Sequence, residues 1–183
     1  MQFLKLIYLT SISLCLMNVT SCKKTIAREP ISQRSGSLIN TSIKRNQRLK
    51  QEEENIIKKI IKEDSLNTYL ESGSGFWYFY KKQDTITKPK PKTGSRVSFE
   101  YNLRYINGDT IYSQTEIGKQ ETIIDKEELF FGLREGLKLL QEGEEATFIF
   151  PSQQAYGYYG DENKIGGNTP LICDIKLNYI LEN

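Results

Sequence analysis

Residues 127–157 read EELFFGLREGLKLLQEGEEATFIFPSQQAYG, and this stretch decides the fold. Leu129, Phe130, Leu133, Leu137 and Leu140 recur at three- and four-residue spacing, which predicts a helix with one apolar face. Gly143 stands where such a helix would stop. Ala146, Phe148 and Phe150 then alternate with Thr147 and Ile149, the pattern of a strand packed under that helix. A polar loop follows and ends on Ala155-Tyr156-Gly157.

The flanking segments read as β-structure. In SRVSFEYNLRYINGDTIYSQ (95–114), Val97, Phe99, Tyr101, Leu103 and Tyr105 alternate as on one long, half-buried strand. Asn107-Gly108 is a two-residue hairpin signal leading into a second strand. In TPLICDIKLNYIL (169–181), Leu171, Cys173, Ile175, Leu177 and Tyr179 alternate as a last strand. Before all of these, Ser72-Gly73-Ser74-Gly75 interrupts the chain. The five aromatics Phe76 to Tyr80 then predict a strand with rings on both faces, one of them under a helix. Lys88-Pro89-Lys90-Pro91-Lys92 is an extended polar connection.

This order of strands, helix, glycine turn and AYG loop resembles the FKBP-type peptidyl-prolyl isomerases, from about residue 75 to Asn183. The resemblance implies an α+β fold, an antiparallel half-barrel sheet wrapped around one α-helix, here preceded by an N-terminal helix. It also implies a proline pocket. Three candidate catalytic residues follow by position: Tyr156, whose hydroxyl donates to the bound carbonyl; Phe130, whose backbone N–H is a second donor; and Tyr101, an aromatic wall with a hydroxyl. The candidate substrate pocket is completed by Ile111, Tyr112, Leu129, Leu133, Ile165 and Cys173. Leu129 precedes Phe130, and Ile165 lies in the loop flanking the pocket. Ile111 takes a position usually aromatic, and Leu133 one where many members place a tryptophan. Cys173 replaces a phenylalanine, and Tyr112 replaces the usual aspartate.

The implied chemistry asks little of the side chains. Rotating a peptide bond costs roughly 18–20 kcal/mol because amide resonance must be broken, and X-Pro bonds exchange slowly enough to limit folding. An apolar cup for the proline ring favours the twisted amide, which has less charge separation than the planar one, and a donor holds a neighbouring carbonyl. No metal, cofactor or nucleophile is required. The chain has no histidine, so zinc sites and histidine-dependent triads are not expected, and no phosphate-binding glycine pattern occurs.

The N-terminus is expected to set the location. Residues 1–21 carry one charge, Lys5, and an apolar run from Leu6 to Met17 that is too short to span a bilayer. Val19-Thr20-Ser21-Cys22 looks like a bacterial lipobox, so 1–21 is read as a lipoprotein signal peptide and Cys22 as the lipid attachment site. Two or three acyl chains would hold the protein on a membrane. Residues 22–48 read as a basic, disordered tether. Residues 49–71 read as an amphipathic helix striped by Ile56, Ile57, Ile60 and Ile61. That stripe packs on its own domain or pairs with a second copy in a homodimer; its length favours the first. The isomerase domain is then 72–183. The whole layout is similar to gliding-motility-associated FKBP-type lipoproteins, which implies a periplasm-facing envelope protein whose partners are proline-containing exported polypeptides.

Charge and cysteine count fit. The formal balance is +2, with 25 basic and 23 acidic residues, and makes no case for nucleic acid as a partner. Of three cysteines, Cys15 leaves with the signal and Cys22 takes lipid, so Cys173 is a lone thiol expected in the core. Three function classes stay open on these grounds: a prolyl isomerase, a prolyl-peptide-binding chaperone without turnover, and a structural lipoprotein.

Overall fold

The computed structural model describes residues 35–181; the signal segment, Cys22 and residues 22–34 lie outside the described residues. A 29-residue helix, α1 (Ser35–Glu63), opens the described chain. This corrects two expected boundaries: residues 35–48 are helix rather than disordered tether, and the helix ends at Glu63 rather than 71. No glycine or proline occurs from Ser37 to Ser72, so nothing in the backbone stops the helix early. Ion pairs at i,i+4, such as Arg48–Glu52, Glu54–Lys58 and Lys59–Glu63, line its solvent side. Asp64 ends it. Its carboxylate accepts from the Leu66 N–H, the Asn67 amide and the Tyr69 hydroxyl, a local turn that competes with helix.

Seven strands and one long closing strand follow: β1 (Leu70–Glu71), β2 (Trp77–Lys82), β3 (Arg96–Tyr101), β4 (Leu103–Tyr105), β5 (Thr110–Tyr112), β6 (Gln120–Ile123), β7 (Glu145–Phe150) and β8 (Leu171–Leu181). They form one antiparallel sheet in the order β1-β2-β7-β8-β3-β6, with β4 joining β8 to β5. β8 is the spine. It pairs with β7 along one edge, placing Phe148 opposite Cys173, and with β3 and β4 along the other. A short helix, α2 (Gln114–Ile117), links β5 to β6, and helix α3 (Phe131–Leu137) lies in the hollow of the sheet.

The pleat divides the side chains between two faces. Val97, Phe99, Phe148, Phe150, Leu171, Cys173, Ile175 and Leu177 are buried in the core that also holds Leu133 and Leu137 of α3. Ile149 and Trp77 point the other way and, with Ile172 and Ile106, cover Ile57 of α1. Phe76 faces the first core and Trp77 the second, so the aromatic run serves both faces as its pattern predicts. The stripe of α1 is therefore spent on its own domain, although Ile56 stays half exposed.

Three local expectations change. The single strand expected over 97–105 is broken at Asn102, whose amide and backbone bond Asp174 of β8. Asn107-Gly108 sits in a longer connection, closed by the Tyr105 N–H on the Asp109 carbonyl. The central helix starts at Phe131 and ends at Leu137, closing through tight bonds from the Leu139 and Leu140 N–H groups to Gly136 and Leu137. Gly143 does not stop it. Gly143 has φ 85°, turns the chain into β7, and donates its N–H to the Leu177 carbonyl.

Candidate functional site

All nine predicted pocket residues belong to the one hydrophobic cluster between the sheet and α3. Phe130 is the N-cap of α3, in extended backbone (φ −61°, ψ 149°), where N–H groups have no acceptor within the helix. Its ring centroid lies 5.1 Å from that of Tyr156 and 5.5 Å, edge-on, from Phe150. Tyr101, at the end of β3, stacks on Phe99 at 5.7 Å. Tyr101, Tyr112, Leu129, Phe130 and Tyr156 are half-buried and present surface. Leu133 and Cys173 are 0% exposed. These two therefore lie beneath the half-buried residues of the cluster rather than beside them at the surface. Leu133 is on the inner side of α3 and Cys173 on the inward alternation of β8, so both support the floor from beneath. Ile111 and Ile165 are almost as deep.

Tyr156 is set by its neighbours in sequence. Ser152–Gln154 forms one 3-10 turn, and the Ser152 carbonyl accepts the N–H groups of Ala155 (3.0 Å) and Gly157 (2.8 Å), the two residues flanking the tyrosine. Burial, then the neighbouring Tyr101 and Asp161, raise the Tyr156 phenol well above its ordinary value. Burial pushes Tyr101 up to about 12. Both hydroxyls thus stay protonated donors at neutral pH. Burial likewise raises the Cys173 thiol well above its usual range, so it is an inert core group.

The loop 158–168 brings a residue that sequence reasoning missed. Asp161 accepts the Tyr112 hydroxyl at 2.5 Å, the Ile165 N–H at 2.7 Å and the Asn163 N–H at 3.0 Å. Lys164 reaches back to the Ile111 carbonyl and Glu116, with its ammonium 4.6 Å from the centre of the Tyr112 ring. The Tyr105 hydroxyl donates to the Lys164 carbonyl. The loop is thus pinned to β4 and β5, and Ile165 is pressed into the core. A carboxylate thus lies against Tyr112, carried by the loop where position 112 itself has tyrosine. The local sign was an aspartate two residues before an asparagine in a glycine-rich loop; its partner 49 residues away left none. Gly160 has φ 77°, and a Cβ there would lie 2.0 Å from the Ile165 carbonyl oxygen, so only glycine fits this closure. No cluster of three or more metal-ligating side chains occurs among the described residues.

These charges predict a pH profile for folding. Burial opposes ionisation of Asp161, but the Tyr112 hydroxyl and the two N–H groups outweigh it and hold the carboxyl below its ordinary value. Asp174 is lowered in the same sense: burial is overcome by Lys81, Thr147 and Asn102. A lowered pKa contributes stability that is present above the unfolded value, about 4, and is lost as the pH falls through the folded one. The raised phenols contribute stability below their unfolded value, about 10, that is lost on further alkalinisation. The melting temperature is expected to be level between about pH 5 and 9 and to fall outside that window, with Asp161→Asn flattening the acid limb. A fall already under way between pH 8 and 6 would contradict this.

Comparison with known proteins places the domain. The profile of FKBP-type peptidyl-prolyl cis-trans isomerases matches residues 87–178. A probable FKBP-type peptidyl-prolyl cis-trans isomerase FkpA of Neisseria meningitidis is 33% identical over 128 residues, which cover 70% of this chain and 45% of that one. The chain thus spans less than half the length of this relative. Among solved structures, a peptidyl-prolyl cis-trans isomerase from Pseudomonas syringae pv. tomato superposes with TM-score 0.60 at 23% identity, over 74% of this chain and 96% of that one. FkpA from Escherichia coli superposes with TM-score 0.57 at 20% identity, over 86% and 74%. These two likenesses bear on the fold, whose sheet, enclosed helix and preceding N-terminal helix are those expected. Matched over half its length to one family profile, the chain belongs to the FKBP-type peptidyl-prolyl cis-trans isomerases.

Proposed function

We propose that the protein is a peptidyl-prolyl cis-trans isomerase acting on proline-containing polypeptides. The observation that carries this reading is Tyr156, a half-buried phenol kept protonated and packed 5.1 Å from Phe130 over an apolar floor. A proline ring seated between Tyr101, Phe130 and Tyr156 leaves water, which favours the twisted amide over the planar one. The Tyr156 hydroxyl and the Phe130 N–H donate to carbonyls beside the rotating bond. A bond made only in the transition state lowers the barrier, whereas one made equally in both states does not.

The test is a protease-coupled or NMR exchange assay on several short X-Pro peptides. The wild type is expected to accelerate isomerisation. Tyr156→Phe keeps the ring and removes one hydrogen bond worth about 0.5–1.5 kcal/mol, so kcat/KM should fall roughly 2- to 13-fold. A folded wild type with no acceleration on any peptide would leave a prolyl-peptide-binding chaperone in its place.

The proposed setting is the bacterial envelope. The support is Val19-Thr20-Ser21-Cys22 after a short apolar run, with a basic stretch beyond it. Acylated Cys22 would anchor the chain, facing the periplasm, and the layout resembling gliding-motility-associated lipoproteins points to motility or secretion components as clients. Cys22→Ser is expected to move the protein from the membrane fraction to the soluble one, or to leave it unprocessed. Continued fractionation with membranes after normal processing would sink the lipoprotein reading.

A further inference from the structure

Most acids of α1 sit in solvent beside a base: Glu52 pairs with Arg48, and Glu54 with Lys50 and Lys58. Glu53 does not. It is 8% exposed and forms no ion pair among the described residues. Its two oxygens are taken instead by one residue 99 positions away, the Ser152 N–H at 2.8 Å and the Ser152 hydroxyl at 2.7 Å. A buried carboxylate without a cation is costly unless its lone pairs are satisfied, so this arrangement calls for a reason.

Holding the helix down is not a sufficient reason. One turn further on, Ile57 is fully buried against Trp77 and Ile149 and already seats α1 on the sheet. The reason lies at the other end of the contact. Ser152 is 1% exposed and opens the turn whose carbonyl carries the N–H groups of Ala155 and Gly157. Those two bonds suspend the backbone of Tyr156. Among the described residues, the N–H and hydroxyl of Ser152 find their acceptor only in Glu53; without it, two buried donors would drive the turn to rearrange.

We infer that Glu53 is a positioning residue for Tyr156, acting through Ser152, so that the helix outside the family-matched region sets the geometry of the pocket donor. The inference rests on the isomerase reading for its kinetic consequence but not for its structural one. In the full chain, Glu53→Ala is expected to lower kcat with little change in KM, by about 2- to 10-fold, within what loss of the Tyr156 hydroxyl itself would produce. Glu53→Gln keeps one acceptor oxygen and should fall between the two. In a Tyr156→Phe background, Glu53→Ala should cost almost nothing more, because the group it positions is already gone.

NMR of ring-labelled tyrosine supplies a readout independent of turnover: Glu53→Ala should shift the Tyr156 ring signals while leaving those of Tyr179, whose hydroxyl bonds Lys119 and Glu121, in place. An active wild type whose Glu53→Ala variant keeps both its kcat and its Tyr156 signals overturns the inference. So does an equal loss of activity with and without the Tyr156 hydroxyl. An inactive wild type in which Glu53→Ala still shifts the Tyr156 signals upholds the positioning and removes the isomerase reading. Should Glu53→Ala not fold, the same measurements on Glu53→Gln decide.

Discussion

Phe150→Ala is expected to lower the free energy of unfolding by about 3–5 kcal/mol, a large share of the roughly 5–15 kcal/mol that holds a typical domain. Phe150 is fully buried at the crossing of three rings: Phe76 edge-on at 5.0 Å, Phe148 stacked at 5.6 Å and Phe130 edge-on at 5.5 Å. Truncation removes the transfer energy of the ring and leaves a cavity that its close-packed neighbours cannot collapse into. Phe130 would lose its buttress, so the folded remainder should also isomerise X-Pro peptides more slowly than its folded fraction predicts. Denaturant titration by circular dichroism measures the first effect, and a loss under about 1 kcal/mol would show that this crossing is not the centre of the core.

Gly132→Ala tests the same place by overfilling it. A Cβ on Gly132 would lie 2.5 Å from the Phe150 ring and 2.8 Å from the Gln154 carbonyl oxygen. The ring is confined by Phe76 and Phe148, and the carbonyl belongs to the backbone turn that carries Tyr156. Alanine gains up to about 1 kcal/mol of helix propensity over glycine, yet the clash is expected to win, with a net loss of about 1–3 kcal/mol and a marked fall in kcat/KM. Thermal melts of Gly132→Ala, Phe150→Leu and the double variant check the cause. The smaller leucine side chain in place of Phe150 should relieve part of the clash, so the double variant should be more stable than the two losses added together. Strict additivity would place the strain elsewhere.

The sheet and the helix it encloses were legible because each element writes its own period. The alternations at 97–105, 146–150 and 171–177 put the same side chains on the core face that the structure packs there, whereas a register shift against β3 takes Tyr179 off that face and packs Ile180 on it instead. The three- and four-residue spacing from Leu129 to Leu140 located the central helix, but not its ends. Leu129 and Phe130 precede it, since the chain is still extended at Phe130. The first helix was misjudged for a similar reason: residues 35–48 show no apolar stripe, and a helix whose sides are solvated carries no period to read.

Spacing along the chain was enough for the strand faces and the enclosed helix, whereas the nine candidate site residues followed from the family resemblance. The pleat and the helical turn convert spacing directly into direction, so the faces and the helix needed no knowledge of distant contacts. How deeply each of the nine residues lies depended on the closed fold. It placed Leu133 and Cys173 below the floor and broke the long strand where Asn102 meets Asp174. It also set Asp161 against Tyr112 and Glu53 against Ser152. Each of these three polar pairings joins groups 49 or more residues apart. A polar side chain carries no local mark of a partner so distant, and whether it meets solvent or a buried donor is settled only when the sheet closes and brings the two together.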